Sequence, residues 1–341
     1  MRLAFIGFRH GHVMGLYKGA VAHAGVDVVA ACEEDPQAAA TLRAAGAVTL
    51  THERMDDVLH DVDCDAVAIG DYFARRGEIA IRALEAGKHV IADKPICTRL
   101  DELEKIGHLA AGKGRAVGCL LDLRDTAVFR TMRRIIREGS IGEVQTVLFT
   151  AQHPLMFGTR PGWYFEPDKH GGTINDIAVH ATDLIPWLTG REIVDVIAAR
   201  AWNARLPQHP HFQDAAQVML RLDNNGSAFG DVSYLSPDEL QYTAPQYWRV
   251  TCHGTDGVVE AAYNSKSVGL AGRGDKSVRE MALDSAKPDG CLEAFMNEIA
   301  GRIEPGTLTT AEVLRASRVA LLAQQVADAT LVPSPSGRRS G

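Results

Sequence analysis

Short, almost wholly apolar runs alternate with longer stretches of helical periodicity through the first third of the chain. The runs fall at residues 2–6, 26–32, 66–70, 89–92 and 116–121, and helix-patterned segments at 13–24, 36–45, 75–86 and 100–111 lie between them. Gly46 and Gly87 stand where helix C-termini favour glycine. Strands without polar alternation are buried on both faces, so the pattern predicts a parallel sheet covered by helices. Past residue 121 the rhythm changes. A helix over 129–138, a strand over 145–151, a loop over 154–172 rich in Gly, Pro and aromatics, and a helix over 173–188 closed by Gly190 come first. Strand-like runs follow at 193–202, 216–222, 228–234, 248–253 and 258–263. Turns such as Asp223-Asn224-Asn225-Gly226 and Gly254-Thr255-Asp256-Gly257 predict antiparallel hairpins. Helices over 292–302 and 311–327 close the pattern.

The expected fold class is α/β. Residues 1–121 form a doubly wound Rossmann domain with right-handed crossovers. Residues 122–332 form an α+β domain with an open, mostly antiparallel sheet, and 333–341 are a disordered tail. The length of 341 residues, beyond the roughly 250–300 at which single cores stop growing, agrees with two domains. An antiparallel sheet can leave one face bare, and an apolar bare face predicts a homodimer or homotetramer built on it.

Composition mostly excludes. Lys plus Arg is 36 and Asp plus Glu is 43, a net charge of −7 without long basic runs, which argues against nucleic-acid binding. Apolar runs such as 3–8 reach six residues where a membrane span needs about 20. Six cysteines are scattered without a CxxC pair, so neither a disulfide framework nor a cysteine-rich metal site is expected; a reduced, cytoplasmic setting fits.

The first strand runs into Gly7-Phe8-Arg9-His10-Gly11-His12 and then a helix. A dinucleotide fingerprint wants G-x-G-x-x-G here. Gly7 is in register, Arg9 and His12 take the second and third glycine places, and Gly11 comes one residue early. An acidic pair, Glu33 and Glu34, ends the second strand. An acid there accepts from ribose hydroxyls and repels a 2′-phosphate, which points to NAD over NADP. The helix N-terminus suits a pyrophosphate, Arg9 can add charge, and His10 and His12 either contact cofactor or bond within the turn.

Two further stretches carry chemistry. His89-Val90-Ile91-Ala92-Asp93-Lys94-Pro95 places Lys94 at the carboxyl edge of a parallel strand, where ligands bind in this architecture, with Pro95 restricting the backbone. Lys94 there can donate to a substrate oxygen or share in proton transfer, although a solvated surface lysine has the same pattern. Gly171-Gly172-Thr173-Ile174-Asn175-Asp176 continues to His180 and Asp183. On a regular helix 176, 180 and 183 share a face, so a carboxylate could hold the His180 imidazole for acid–base work. The bland readings are a Thr173-x-x-Asp176 capping box and a satisfied core histidine. Asp176 and His180 could also ligate one ion, but no further Cys or His sits at compact spacing, and no metal is expected.

At these stretches the chain resembles the glucose–fructose oxidoreductase/inositol dehydrogenase (Gfo/Idh/MocA) family. Ala83-Leu84-Glu85-Ala86-Gly87-Lys88-His89-Val90 running into Asp93-Lys94-Pro95 looks like the family's Glu-Lys-Pro segment. Gly171-Gly172 with Asp176, His180 and Asp183 looks like its Gly-Gly-x-x-x-Asp-x-x-x-His-x-x-Asp, and Gly139-x-Ile141-Gly142 like the opening of its second domain. The resemblance implies tightly held NAD(P) and oxidation or reduction of sugars, polyols and related compounds. It makes Lys94, Asp176 and His180 catalytic and gives Asp183 to the substrate. Arg124, His153, Trp163 and Tyr164 are further substrate candidates. Cofactor contacts are expected from Gly7, Arg9, His10, Gly11, His12, Glu33, Asp71, Asp93, Lys94 and Pro95. The sequence departs from the family in Asp93 for Glu, in the degraded glycine loop, and in Asp71-Tyr72 with Arg76 where the family carries Thr-Pro and His.

The expectation is therefore an NAD-dependent dehydrogenase of a secondary alcohol on a sugar, polyol or cyclitol-like small molecule. Its rivals are a glycoside-processing enzyme that oxidises its substrate transiently and regenerates NAD, and a non-catalytic ligand sensor on the same scaffold.

Overall fold

A computed structural model describes residues 1–287 and 290–329. The expected prediction of a disordered tail over 333–341 lies outside the described residues. The first layer is β1 (Arg2–Ile6), β2 (Asp27–Cys32), β3 (Ala66–Ile69), β4 (His89–Ala92) and β5 (Val117–Cys119), all parallel, in the order β2-β1-β3-β4-β5. Helices α1 (His12–Ala22), α2 (Pro36–Ala45), α3 (Met55–Asp61), α4 (Phe73–Glu85) and α5 (Leu100–Lys113) connect them. A single parallel bridge from Cys32 to His52 lies outside β2. It extends the sheet's outer edge by one residue pair beyond β2. The direction in which successive strands join the sheet reverses between β1 and β3, and the crevice outside the carboxyl ends of those strands is where this topology binds ligands. The strands are Ala/Val/Ile runs buried on both faces, as their lack of alternation requires.

The second layer holds eight strands in the order β13-β12-β11-β10-β6-β9-β8-β7. They are β6 (Val144–Pro154), β7 (Ile193–Trp202), β8 (Ala215–Leu222), β9 (Ser227–Ser236), β10 (Arg249–Gly254), β11 (Gly257–Ala262), β12 (Val268–Gly272) and β13 (Arg279–Met281). All neighbours are antiparallel except β6 and β9. α6 (Ala127–Arg137), α7 (Val179–Thr189) and α9 (Thr310–Ala329) pack on one face. Alternation along β8, buried at Ala216, Val218, Leu220 and Leu222 and open at Met219, leaves the other face bare.

The chain's end ties the layers together. α8 (Gly290–Ile299) and α9 send Cys291, Ala294, Val313, Ala316 and Ala320 into the core of the parallel sheet, while Ala323 and Ala327 enter the core of the second. The helices after residue 290 thus complete the N-terminal layer as well as the C-terminal one. The segment expected as one helix over 173–188 instead opens with a π-turn, Ile174–Ala178, before α7. Its entry demands glycine: at Gly172, φ +94°, a Cβ would collide with the Gln324 side chain of α9. No helix among the described residues is long and apolar enough to cross a membrane.

Candidate active site

After β1 the chain turns at Gly7, φ +80°, where a Cβ would lie 2.7 Å from the Asp71 backbone nitrogen. Arg9 N and His10 N both donate to Gly70 O, at 3.0 and 3.1 Å, pinning the loop to the end of β3. Gly11 then opens α1 without a side-chain cap; Met14 N donates to Gly11 O at 3.2 Å, which leaves the His12 and Val13 N–H groups uncapped. A Cβ at Gly11 or Gly15 would meet nothing within 4 Å. Open space over a helix N-terminus fits a pyrophosphate. Arg9 does not crowd it: its guanidinium swings 3.4 Å from Asp35 and 3.8 Å from Asp71, over the Tyr72 ring at 4.9 Å.

Glu33 is held by the loop itself: its oxygens accept from Phe8 N (2.6 Å) and Asp35 N (2.8 Å), one bond on each, which leaves acceptor capacity on both. Burial raises its pKa against those bonds. Glu34 is taken by Arg75 and Met55 N, and Asp71 by Tyr72 N (2.7 Å) and Arg75 (3.3 Å).

His10 and His12 converge on Asp93, a partner neither of the two sequence readings named. His10 Nδ1 bonds one carboxylate oxygen, and His12 Nδ1 is 3.4 Å from the other. Arg76, fully buried, bonds Asp93 (3.1 Å), the carbonyls of Lys94 (2.5 Å) and Pro95 (3.1 Å), and Asp71 O (2.8 Å). Burial alone would raise the Asp93 pKa; His10 and Arg76 outweigh it and hold the carboxyl ionised. His10, His12 and Asp93 bring ligand atoms within 4.8 Å of one another. Arg76 already fills the place of a counter-ion there, so this triad reads as a positioning network for the Asp93-Lys94-Pro95 turn.

Lys94, leaving β4, donates to Asp176 Oδ1 (2.5 Å) and Asp176 O (3.1 Å). The other Asp176 oxygen accepts from the Tyr234 hydroxyl, and His170 Nε2 lies 3.5 Å from it. Burial opposes ionisation of Asp176, but Lys94 and His170 keep its pKa well below the usual carboxylate range. The π-turn spoils the regular face expected for 176, 180 and 183. Neither carboxylate bonds His180, and its buried Nδ1 has no partner among the described residues. Burial, then the charges of Lys94 and His12, hold the His180 pKa well below 6.5, so the ring is neutral. Its edge meets Trp248 at 5.7 Å. The capping box fails too, since the Thr173 hydroxyl donates to Gln213 O.

Arg124 and Asp183, both expected at substrate, satisfy each other: Nε to Oδ2 at 2.6 Å and Nη2 to Oδ1 at 2.5 Å, buried, with Glu312 on Nη1 at 3.2 Å. Ligand contact by either would break that fork, and the pair instead joins the first turn after β5 to α7. Trp163 is buried against Phe73 and donates to Arg9 O (3.1 Å), a bond between the layers. Tyr164 packs beside Trp163, Phe73 and His170. His153 sits in an aromatic ring with Tyr234, Tyr242, Tyr247 and Trp248. Burial and the Lys94 charge press it down to about 3. His170 and Tyr234 as site residues were not anticipated, and Arg76 was noted only as a departure from the family pattern; His170, directly before Gly171-Gly172, lay next to a motif and Tyr234 did not.

Burial also lowers His10, to about 4, against the pull of Asp93. A folded-state pKa below the unfolded 6.5 contributes stability present above pH 6.5 and lost as pH falls toward 4. Between pH 7 and pH 5 that loss is about 2 kcal/mol for this group. Urea unfolding of His10→Asn beside the unsubstituted protein is expected to show their stability gap narrowing by about that amount over this interval; an unchanged gap would refute the assignment.

Residues 1–120 match the model of the oxidoreductase family with an NAD-binding Rossmann fold, and residues 129–260 match the Gfo/Idh/MocA C-terminal domain. A 1,5-anhydro-D-fructose reductase of Ensifer adhaerens is 27% identical over 182 residues, 53% of this chain and 54% of that protein, so the chain spans about half the length of that curated relative. An inositol 2-dehydrogenase of Rhizobium meliloti is 26% identical over 320 residues, covering 92% of this chain and 91% of that one. The structure of a levoglucosan dehydrogenase in complex with NADH shares the fold, with a TM-score of 0.78 at 19% identity over 96% of this chain and 97% of that one. Two matched models, spanning more than half of its length, place the chain in the Gfo/Idh/MocA oxidoreductase family, with an NAD-binding Rossmann domain at its N-terminal end.

Proposed function

We propose that this protein oxidises a secondary alcohol of a sugar, polyol or cyclitol-like substrate to the ketone, with NAD as acceptor. The observation that carries the reading is the Lys94–Asp176 ion pair at the carboxyl end of β4, with the neutral His180 beside it. The names of the two curated relatives, a reductase of an anhydrosugar and an inositol dehydrogenase, support the substrate class.

Bound NAD supplies the two-electron acceptor. The chain's residues do the rest. Lys94 donates to the reacting oxygen and fixes it against the crevice. His180, uncharged, takes the hydroxyl proton at its ring nitrogen. Asp176 acts through Lys94 as a positioning residue: it holds the ammonium, while Tyr234 and His170 fix its second oxygen. Packed aromatic walls exclude water and strengthen each of these interactions.

The test is net NADH formation across inositols, polyols, aldoses and small glycosides, after denaturation has shown how much cofactor the preparation carries. Steady NADH with one alcohol class is expected. Cleavage of a glycoside without net NADH would replace this reading with transient oxidation, and sugar binding without turnover would replace it with a sensor. The same reading includes a homodimer or homotetramer through the bare sheet face, where Leu148, Met219 and Phe229 are 43%, 40% and 45% exposed; a monomer mass by light scattering would remove that part.

A further inference from the structure

We infer that the substrate is an acid: Arg160 forms a carboxylate-binding subsite beside the Lys94–Asp176 pair, so a sugar or polyol acid is preferred over its neutral counterpart. The inference rests on the dehydrogenase reading for the alcohol and adds a charge to the same molecule.

Arg160 comes from the loop between β6 and the π-turn. Its Nε donates to Leu155 O at 2.7 Å and Nη2 to Pro154 O at 3.0 Å. The guanidinium carbon is 4.9 Å from the Tyr164 ring centre and 5.0 Å from that of Tyr234. The fork is thus held flat between two rings, and Tyr234 is the residue whose hydroxyl bonds Asp176. One aromatic side chain separates Arg160 from the Lys94–Asp176 pair.

Its charge is unmatched. Arg76 has Asp93, Lys94 has Asp176, Arg124 has Asp183, Arg9 has Asp35 and Lys169 has Glu166. Among the described residues no carboxylate lies within ion-pair distance of Arg160. Both Asp176 oxygens are already engaged, and Asp122 lines a groove with His12 and Gly11 at the α1 end of the site. Nη1 of Arg160 and the Tyr164 hydroxyl make no hydrogen bond among the described residues. A guanidinium partly enclosed by protein, with Asp176 beyond ion-pair distance and already engaged, favours a ligand that brings a carboxylate to it. A guanidinium fork between two rings, with Nη1 unspent, suits a planar carboxylate.

The experiment pairs D-glucuronate with D-glucose, D-galacturonate with D-galactose, and D-gluconate with sorbitol on the NAD-loaded protein, reading NADH. At least one acid is expected to exceed its neutral partner by about tenfold or more in kcat/KM. Arg160→Gln is expected to raise KM for that acid by about 10–100-fold and to bring the acid-to-neutral ratio near one, with Arg160→Lys between the two. NADH binding and melting temperature check that both variants fold. Preference for the neutral member, or an unchanged ratio in Arg160→Gln, overturns the inference. If no compound yields NADH, calorimetry with the same acids decides. Acid binding lost in Arg160→Gln keeps the subsite while the dehydrogenase reading falls, and no acid binding ends the subsite. Oxidation of neutral polyols with acids neither oxidised nor bound leaves the dehydrogenase and removes the acid.

Discussion

Replacing Lys94 by Met is expected to lower kcat by about 10³–10⁴ while NAD(H) remains bound. Two effects combine. The reacting oxygen loses a charged donor whose interaction strengthens as charge develops on it. Asp176 loses its cation and is left buried with only Tyr234 and His170 on one oxygen. Removing one partner of a buried pair typically costs about 3–5 kcal/mol of stability, because the remaining charge is uncompensated. Methionine keeps the stem's volume, so little of that cost comes from a cavity. Asp176→Asn added to Lys94→Met is expected to return most of the stability, since the amide carries no charge, yet none of the turnover. Chemical unfolding and steady-state kinetics on the two single variants and the double variant separate these effects. A Lys94→Met protein within tenfold of normal kcat would remove Lys94 from the chemistry. A double variant no more stable than Lys94→Met would show that the two groups are not coupled.

The legible parts of the fold were those written in local pattern. β1, β4 and β7 lie where their apolar runs lie, and Lys94 stands at a strand edge because the apolar run stops at Ala92. Three elements carried weaker signals. α3 spans seven residues with Asp56 and Asp57 in its first turn, β12 reads Val-Gly-Leu-Ala-Gly, and β13 has three residues at the sheet's edge. The motif residues were legible and their mutual geometry was not. Spacing assumes a regular helix, whereas the glycine pair Gly171-Gly172 lets the chain enter a π-turn against Gln324, which turns Asp176 toward Lys94 and away from His180. Arg124 and Asp183 are 59 positions apart, Lys94 and Asp176 are 82, and Asp176 and Tyr234 are 58. Pairings over such separations are set by how the two sheets are joined through the helices between them. Arg160 was hidden for the same reason: its neighbours in sequence supply only carbonyls, and the rings that enclose it come from the next turn and from β9.

His180→Asn is expected to lose about 10²–10⁴ in kcat, the share ordinarily supplied by a positioned base. Its pH dependence is the sharper readout. In many sites a carboxylate on the second ring nitrogen raises the base toward neutrality; His180 has none, and burial, Lys94 and His12 all push its pKa down. A lowered pKa leaves the ring unprotonated, and so able to accept a proton, at every pH above that value. Oxidation by the unsubstituted protein is therefore expected to stay level as pH falls through 6.5 and to decline only well below it. The stability contribution runs the same way: it is present above pH 6.5, where folded and unfolded rings are both neutral, and is lost as the unfolded ring takes a proton that the folded one refuses. In His180→Asn the residual turnover should lack the acid limb that His180 creates. A limb at or above pH 6.5 that persists unchanged in His180→Asn would assign proton transfer to another group, with the Tyr234–His170 pair on Asp176 as the next candidate.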